Sequence, residues 1–197
     1  AESKRKTPGV IGFYKKERLF GSNGVAILPR KPEMVYVNPY RVVGRTPDHP
    51  LVTELTSDMY YPYEIYSDPD GGLTYFKEAG QVNVSYTPEE LTAMLLLHAK
   101  EQTEIFGGKT VKDCVLTIPS SFTQHEREGV YAAAAIAGLN VLSLMEENTA
   151  AALQYAIDHS KTDDVKYVLF YNVGATTTQT TIVRYSVYAE KVTKTSN

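Results

Sequence analysis

The sequence predicts an α/β protein, and two stretches carry that prediction. From Asp113 to Ile157, short apolar runs alternate with alanine-rich segments in the order strand, helix, strand, helix. From Tyr60 to Tyr86, tyrosine and aliphatic residues alternate with polar ones between glycine-bearing turns, the pattern of an antiparallel meander. A chain of 197 residues can bury a core and suits one domain or two small subdomains.

Charge narrows the function classes. Twenty-three acidic residues against twenty basic ones give a net charge of −3, which argues against a nucleic-acid platform with its concentrated basic face. The dense basic run Lys4-Arg5-Lys6 reads as a solvated end. No apolar run approaches membrane-spanning length, and the residues given contain no signal peptide. The lone Cys114 cannot form an internal disulfide.

In chain order, Gly9 to Tyr14 reads as a strand turned at Lys15 to Glu17 into Arg18 to Phe20. Gly21, Ser22 and Asn23 then start a short helix that ends before Pro29. From Glu33 to Val43 the spacing of Met34, Val37 and Val42 is loosely helical, with Pro39 set to break or kink that helix. Leu51, Val52 and Leu55 place one apolar face on an amphipathic piece over 49–56. The meander uses Tyr61, Tyr63 and Ile65, then Leu73 and Tyr75, then Val82, Val84 and Tyr86, with turns at 68–72 and 79–80. Its tyrosines read as half-buried packing, since no basic residues interleave them as on a ligand platform. Asn83-Val84-Ser85 is a glycosylation sequon, relevant in a secretory compartment.

Thr87-Pro88-Glu89-Glu90 is a helix start, with Thr87 as N-cap, proline at the first helical position and Glu90 at capping-box spacing. Leu91, Met94, Leu95, His98 and Ile105 line one side of this helix, which stops near Gly107 and Gly108. His98 reads as a packed histidine, because no second ligand stands at metal spacing. The apolar run Cys114 to Ile118, closed by Pro119, reads as a buried strand. Thr123 and Glu126 form a second capping-box pair, and Gly138 ends that helix in a left-handed conformation. Leu139 to Leu144 is a strand, and Asn148 with Thr149 opens another alanine-rich helix. Beyond the polar linker 160–164, the strand Tyr167 to Tyr171 runs through Asn172 to Thr178 into a returning strand, Gln179 to Tyr185. A turn of small and hydroxyl residues can hold backbone N–H groups against a phosphate, and it can also simply turn.

Three strings, in order and with consistent gaps, change that balance: Val115 to Phe122, Ala135 to Leu142, and Glu147 to Ala152. Together with Arg5-Lys6-Thr7-Pro8 and Arg41-Val42-Val43-Gly44-Arg45, they resemble the nucleotide-binding domain of the seventy-kilodalton heat-shock protein superfamily over essentially the whole chain. Lys4 to Pro8, Asn148 after Glu147, and Phe170-Tyr171 are most similar to the large endoplasmic-reticulum branch, hypoxia up-regulated or glucose-regulated. The cytosolic large heat-shock relatives are the alternative. The resemblance implies a partial actin-like, ribonuclease-H-like ATPase fold, mostly its first lobe. It implies an outer subdomain over 1–87, an inner α/β subdomain over 88–161, and the first hairpin of the second lobe over 162–197. It also implies that the family's first phosphate-binding hairpin and most of its second lobe lie outside these residues.

The same resemblance implies ATP or ADP with magnesium as cofactor in the complete domain, and possible absence of both from this fragment. With His49, His125 and His159 also isolated, the sequence itself offers no metal site. Glu147 matches the family's catalytic glutamate, while Gly174, Ala175, Thr176 and Thr177 occupy its second phosphate turn, with Ala175 and Thr176 replacing two glycines. Tyr40 stands at the catalytic lysine position and Asn172 at the aspartate that organises magnesium-bound water. Pro119 and Arg127 match the switch proline and the arginine that couples the lobe to the interdomain linker. Implied partners are a smaller heat-shock chaperone and unfolded clients, with no nucleic acid and no membrane. The implied compartment is the endoplasmic reticulum lumen, with the cytoplasm as alternative.

Three readings follow. One is a fragment of a large chaperone, weakly hydrolysing at most, that assists folding or acts as exchange factor. Another is a pseudo-ATPase interaction module without nucleotide. A sugar kinase of the same fold fits least, as no base for a substrate hydroxyl stands out.

Overall fold

The structure, a computed structural model, describes residues 6–57, 63, 65–67, 74–77, 84–159, 165–174 and 177–186. Lys4 and Arg5, Tyr61, Leu73, Val82, the turns at 68–72 and 79–80, Asn83, the linker 160–164, and Ala175 with Thr176 lie outside the described residues. The chain divides into two compact units. One comprises 1–115 and 122–143, the other 116–121 and 144–197.

In the first unit, strands β1 (Val10–Tyr14), β2 (Glu17–Phe20) and β3 (Val35–Val37) form a sheet ordered β2-β1-β3, antiparallel throughout. Lys15 and Lys16 turn β1 into β2 with positive φ values of 51° and 66°, the twist that a two-residue hairpin requires. Helix α1 (Ser22–Ile27) follows. The helix expected over 33–43 does not form. A 3-10 turn at Pro32–Met34 leads into β3, and a second, Pro39–Val42, follows Asn38 in the left-handed region at φ 48°. Val35, Tyr36 and Val37 are β-branched or aromatic, and pairing with β1 outweighs a weak helical spacing that Pro39 already interrupts.

Helix α2 (Pro50–Ser57) buries Val52 and Leu55 as its amphipathic spacing predicts. β4 (Ile65–Ser67), β5 (Thr74–Lys77) and β6 (Ser85–Tyr86) form the expected antiparallel meander. Ile11, Tyr36, Val42, Val52, Leu55, Tyr63, Phe76 and Leu91 gather into one core. The Tyr36, Tyr63 and Phe76 rings meet there at centroid distances of 5.0 to 5.8 Å, so these aromatics are packing.

Helix α3 (Pro88–Gly107) starts on the complete Thr87 and Glu90 capping box and ends at left-handed Gly108. Thr87 Oγ1 accepts from Glu90 N–H at 3.1 Å, and Glu90 Oε2 accepts from Thr87 N–H at 2.8 Å. His98 stacks on Phe20 at 4.6 Å. Ile105, expected on the covered side, is 77% exposed. A helix of 20 residues is about 30 Å long. It outruns α4 (Gln124–Ile136), the 13-residue helix packed on it through Ala93, Ala133 and Ala137.

β7 (Asp113–Ile118) and β8 (Asn140–Glu146) pair with each other. The buried strand expected over Cys114 to Ile118 is covered less than that reading implies. Exposed and half-buried residues alternate until Ile118, with Val115 half exposed, as in a strand covered on one face.

The second unit holds α5 (Glu147–Asp158) against an antiparallel hairpin of β9 (Lys166–Val173) and β10 (Thr178–Tyr185). Tyr155 of α5 meets Phe170 edge-on at 5.8 Å and Tyr185 at 5.7 Å. The Tyr185 hydroxyl donates to Ala152 O at 2.8 Å, so one aromatic cluster and one hydrogen bond tie the helix to the hairpin.

Candidate functional site

Glu147 is the first residue of α5, following an extended Glu146. A carboxylate there sits at the positive end of the helix dipole. Its Oε2 accepts a hydrogen bond from Gln179 Nε2 of β10 at 3.0 Å. One residue on, buried Asn148 donates through Nδ2 to Thr181 Oγ1 at 2.9 Å, fixing the start of the helix against the same strand.

Strand register brings Asn172 into this group. Gln179 pairs directly with Asn172, and Thr181 with Phe170, so these four side chains lie on the face that carries α5. Gln179 is the residue that the sequence reading passed over. The position could be found by carrying the resemblance past the turn, to the residue opposite Asn172. The Gln179 Oε1 is buried and finds no hydrogen-bond partner among the described residues. A buried carbonyl left wholly unpaired costs about 1–3 kcal/mol, so a donor from water or ligand at this oxygen would be favourable.

The turn between β9 and β10 closes through Gly174 N–H donating to Thr177 O at 2.8 Å. A Cβ on Gly174 would stand 3.3 Å from that oxygen, which favours glycine there. Gly174 and Thr177 thus bracket the turn, and Thr177 is exposed.

Tyr40 and Arg127 belong to the first unit and share a different centre, Phe122. The Tyr40 ring lies 5.3 Å from the Phe122 ring, tilted by 35°, and Arg127 Nε donates to Phe122 O at 3.1 Å. The Arg45 guanidinium stands 6.0 Å from the Phe122 ring and pairs with Glu126. Pro119, half-buried after β7, belongs to the second unit. Cys114 is no candidate nucleophile. Partial burial, and then the Asp113 charge, push its thiol above the ordinary value and keep it protonated.

Among the described residues, no three His, Cys, Asp or Glu side chains gather as a metal cluster. Glu147, and Asn172 paired across the hairpin from Gln179, nevertheless carry oxygen donors. Such donors fit magnesium carrying its waters, a hard cation commonly held by one or two carboxylates plus substrate phosphates.

The family model described as Hsp70 protein matches residues 1–197, and the chain belongs to that family. Its α/β fold is accordingly that of the actin-like ATPases. The chain is 36% identical over 193 residues to Hypoxia up-regulated protein 1 of Danio rerio, covering 96% of this chain and 19% of that protein. It is 37% identical over 182 residues to Heat shock 70 kDa protein 17 of Arabidopsis thaliana, covering 92% and 20%. To human Hypoxia up-regulated protein 1 it is 32% identical over 192 residues, covering 96% and 19%. The chain therefore spans about a fifth of the length of these curated relatives. No helix among the described residues is long and apolar enough to cross a membrane.

Proposed function

We propose that this chain is part of the ATP-binding domain of a large heat-shock chaperone, in which nucleotide clamps a conformation more than it fuels a cycle. The observation that carries this reading is the Glu147 carboxylate, held at the start of α5 by Gln179 and facing a hairpin whose aspartate position is Asn172. Oxygens for a hydrated cation remain, while the charges that speed phosphoryl transfer are fewer. Glu147 and Asn172 would hold magnesium-bound water, and Gly174, Ala175, Thr176 and Thr177 would cradle phosphate. When bound, magnesium neutralises phosphate charge. Tyr40, in place of a lysine, supplies no cation to a phosphate. Pro119 and Arg127 would pass the state of the site to the interdomain linker.

The proposed arrangement is an outer subdomain over 1–87, an inner one over 88–161 and the opening hairpin of a second lobe over 162–197. The relatives' names, which speak of hypoxia and heat shock, support a stress-related role. Assisting folding or acting as exchange factor for a smaller partner chaperone, with unfolded proteins as clients and an endoplasmic-reticulum address, completes the reading on the family resemblance. The test is a calorimetric titration of the complete protein with magnesium-ADP and magnesium-ATP. Micromolar binding, about 8 kcal/mol, supports the clamp, whereas no heat with either nucleotide overturns it.

A second reading, a pseudo-ATPase interaction module, draws on the Tyr40 ring packed against Phe122, a contact that gives this position a structural occupation. Silence in the same titration would favour it.

A further inference from the structure

We propose that Gln179 is a positioning residue for Glu147, holding its carboxylate in the working geometry of the site. The inference rests on the nucleotide reading of that site. It begins from the orientation of one side-chain amide. Nε2 points to Glu147 Oε2 at 3.0 Å, while Oε1 is buried with no donor among the described residues. The reverse orientation would set a carbonyl oxygen against a carboxylate, so the glutamate dictates which way the amide faces. Among the described residues, Gln179 thus keeps its donor on Glu147 while its Oε1 has no partner. A residue serving only to pack α5 on the hairpin has no need of an amide, and Val183, on the same face of β10, is half-buried and apolar.

The neighbours make the geometry rigid. Asn148 is anchored to Thr181, two residues beyond Gln179 on the same face of β10, so the helix start cannot slide along the strand without breaking that bond as well. Asn172 stands directly across from Gln179. A glutamine at this position does what an acidic side chain cannot at neutral pH, since an ionised carboxylate has no hydrogen to donate and would repel Glu147. Glu147 thus keeps one fixed orientation within a group that carries a single negative charge.

The test is a double-mutant cycle in the complete protein, using Gln179→Met and Glu147→Ala and reading magnesium-ADP affinity by calorimetry. Gln179→Met should weaken binding by about 10- to 100-fold, the span of a hydrogen bond to a charged group. In the Glu147→Ala background the same substitution should change affinity less than about twofold. An equal loss in both backgrounds, or none in the first, overturns the proposal. Thermal unfolding of the four proteins without nucleotide separates the two ideas. Coupled melting temperatures together with no nucleotide binding would sink the nucleotide reading while upholding the pair. Additive melting temperatures would overturn the positioning role whatever the nucleotide does.

Discussion

Arg45 and Glu126, 81 residues apart in the chain, form an ion pair from which water is nearly excluded, with side chains 12% and 5% exposed. Arg45 Nε and a terminal guanidinium nitrogen both reach Glu126 Oε1, at 2.9 and 2.8 Å. The other carboxylate oxygen accepts Thr123 N–H at 2.6 Å and the Thr123 hydroxyl. Both oxygens are thus engaged, and the turn after the 3-10 segment Pro39–Val42 is fastened to the start of α4. Glu126→Ala would leave the Arg45 charge with little water to compensate it. The expected loss is about 3 kcal/mol of stability, measured by urea unfolding.

The same carboxyl gives the protein an acid limit. Burial pushes its pKa up, but the Thr123 hydroxyl and N–H, and then Arg45, outweigh that, and the net shift is downward from 4.5. A carboxyl with a depressed folded pKa contributes stability above its unfolded value and loses it as pH falls through the folded one. The melting temperature should therefore drop as pH falls below about 4.5, and that part of the slope should vanish in Glu126→Gln. An unchanged slope in the variant would assign the acid limit elsewhere.

Gly129 decides how closely the Val43-Gly44 backbone approaches α4. A Cβ there would lie 2.6 Å from Val43 Cγ1 and 2.9 Å from Gly44 N. Alanine ordinarily stabilises a helix interior by about 1 kcal/mol over glycine. Here the backbone cannot yield, because Gly44 is held at φ 67° with its N–H on Glu89 Oε1 at 2.8 Å. Overpacking should win, and Gly129→Ala should destabilise by about 1–3 kcal/mol in thermal unfolding.

Thr87→Ala removes one half of the box that starts α3 and should cost about 1 kcal/mol. Thr87→Ser should restore most of it, which distinguishes the cap from general packing in the same unfolding experiment.

Tyr40→Lys alone should not raise ATP hydrolysis in the complete protein, because it removes the ring contact with Phe122 while Asn172 stays neutral. Combined with Asn172→Asp, which restores the second missing charge, it should raise single-turnover hydrolysis by at least about 100-fold, the scale of a single electrostatic stabiliser. A large gain from Tyr40→Lys by itself would show that this position was the sole limit.

What the sequence determined by itself is what neighbouring residues decide among themselves. The cap at Thr87, Pro88 and Glu90, the left-handed stop at Gly138, the meander and the hairpin around Gly174 were all legible, since each depends on residues a few places apart. The stretch 33–43 misled because loose helical spacing is a weak preference, and its outcome was set by a partner strand outside it. Of the site, Glu147, Asn172, Gly174 and Thr177 were legible through family resemblance. Gln179 was overlooked there, and its bond to Glu147 could not be read from it, because that bond needs α5 to lie within reach of β10. Tertiary structure alone joined Arg45 to Glu126, Gly44 to Glu89 and Gln179 to Glu147. Each of these contacts depends on burial and on the close approach of distant backbone, which no local pattern of residues encodes.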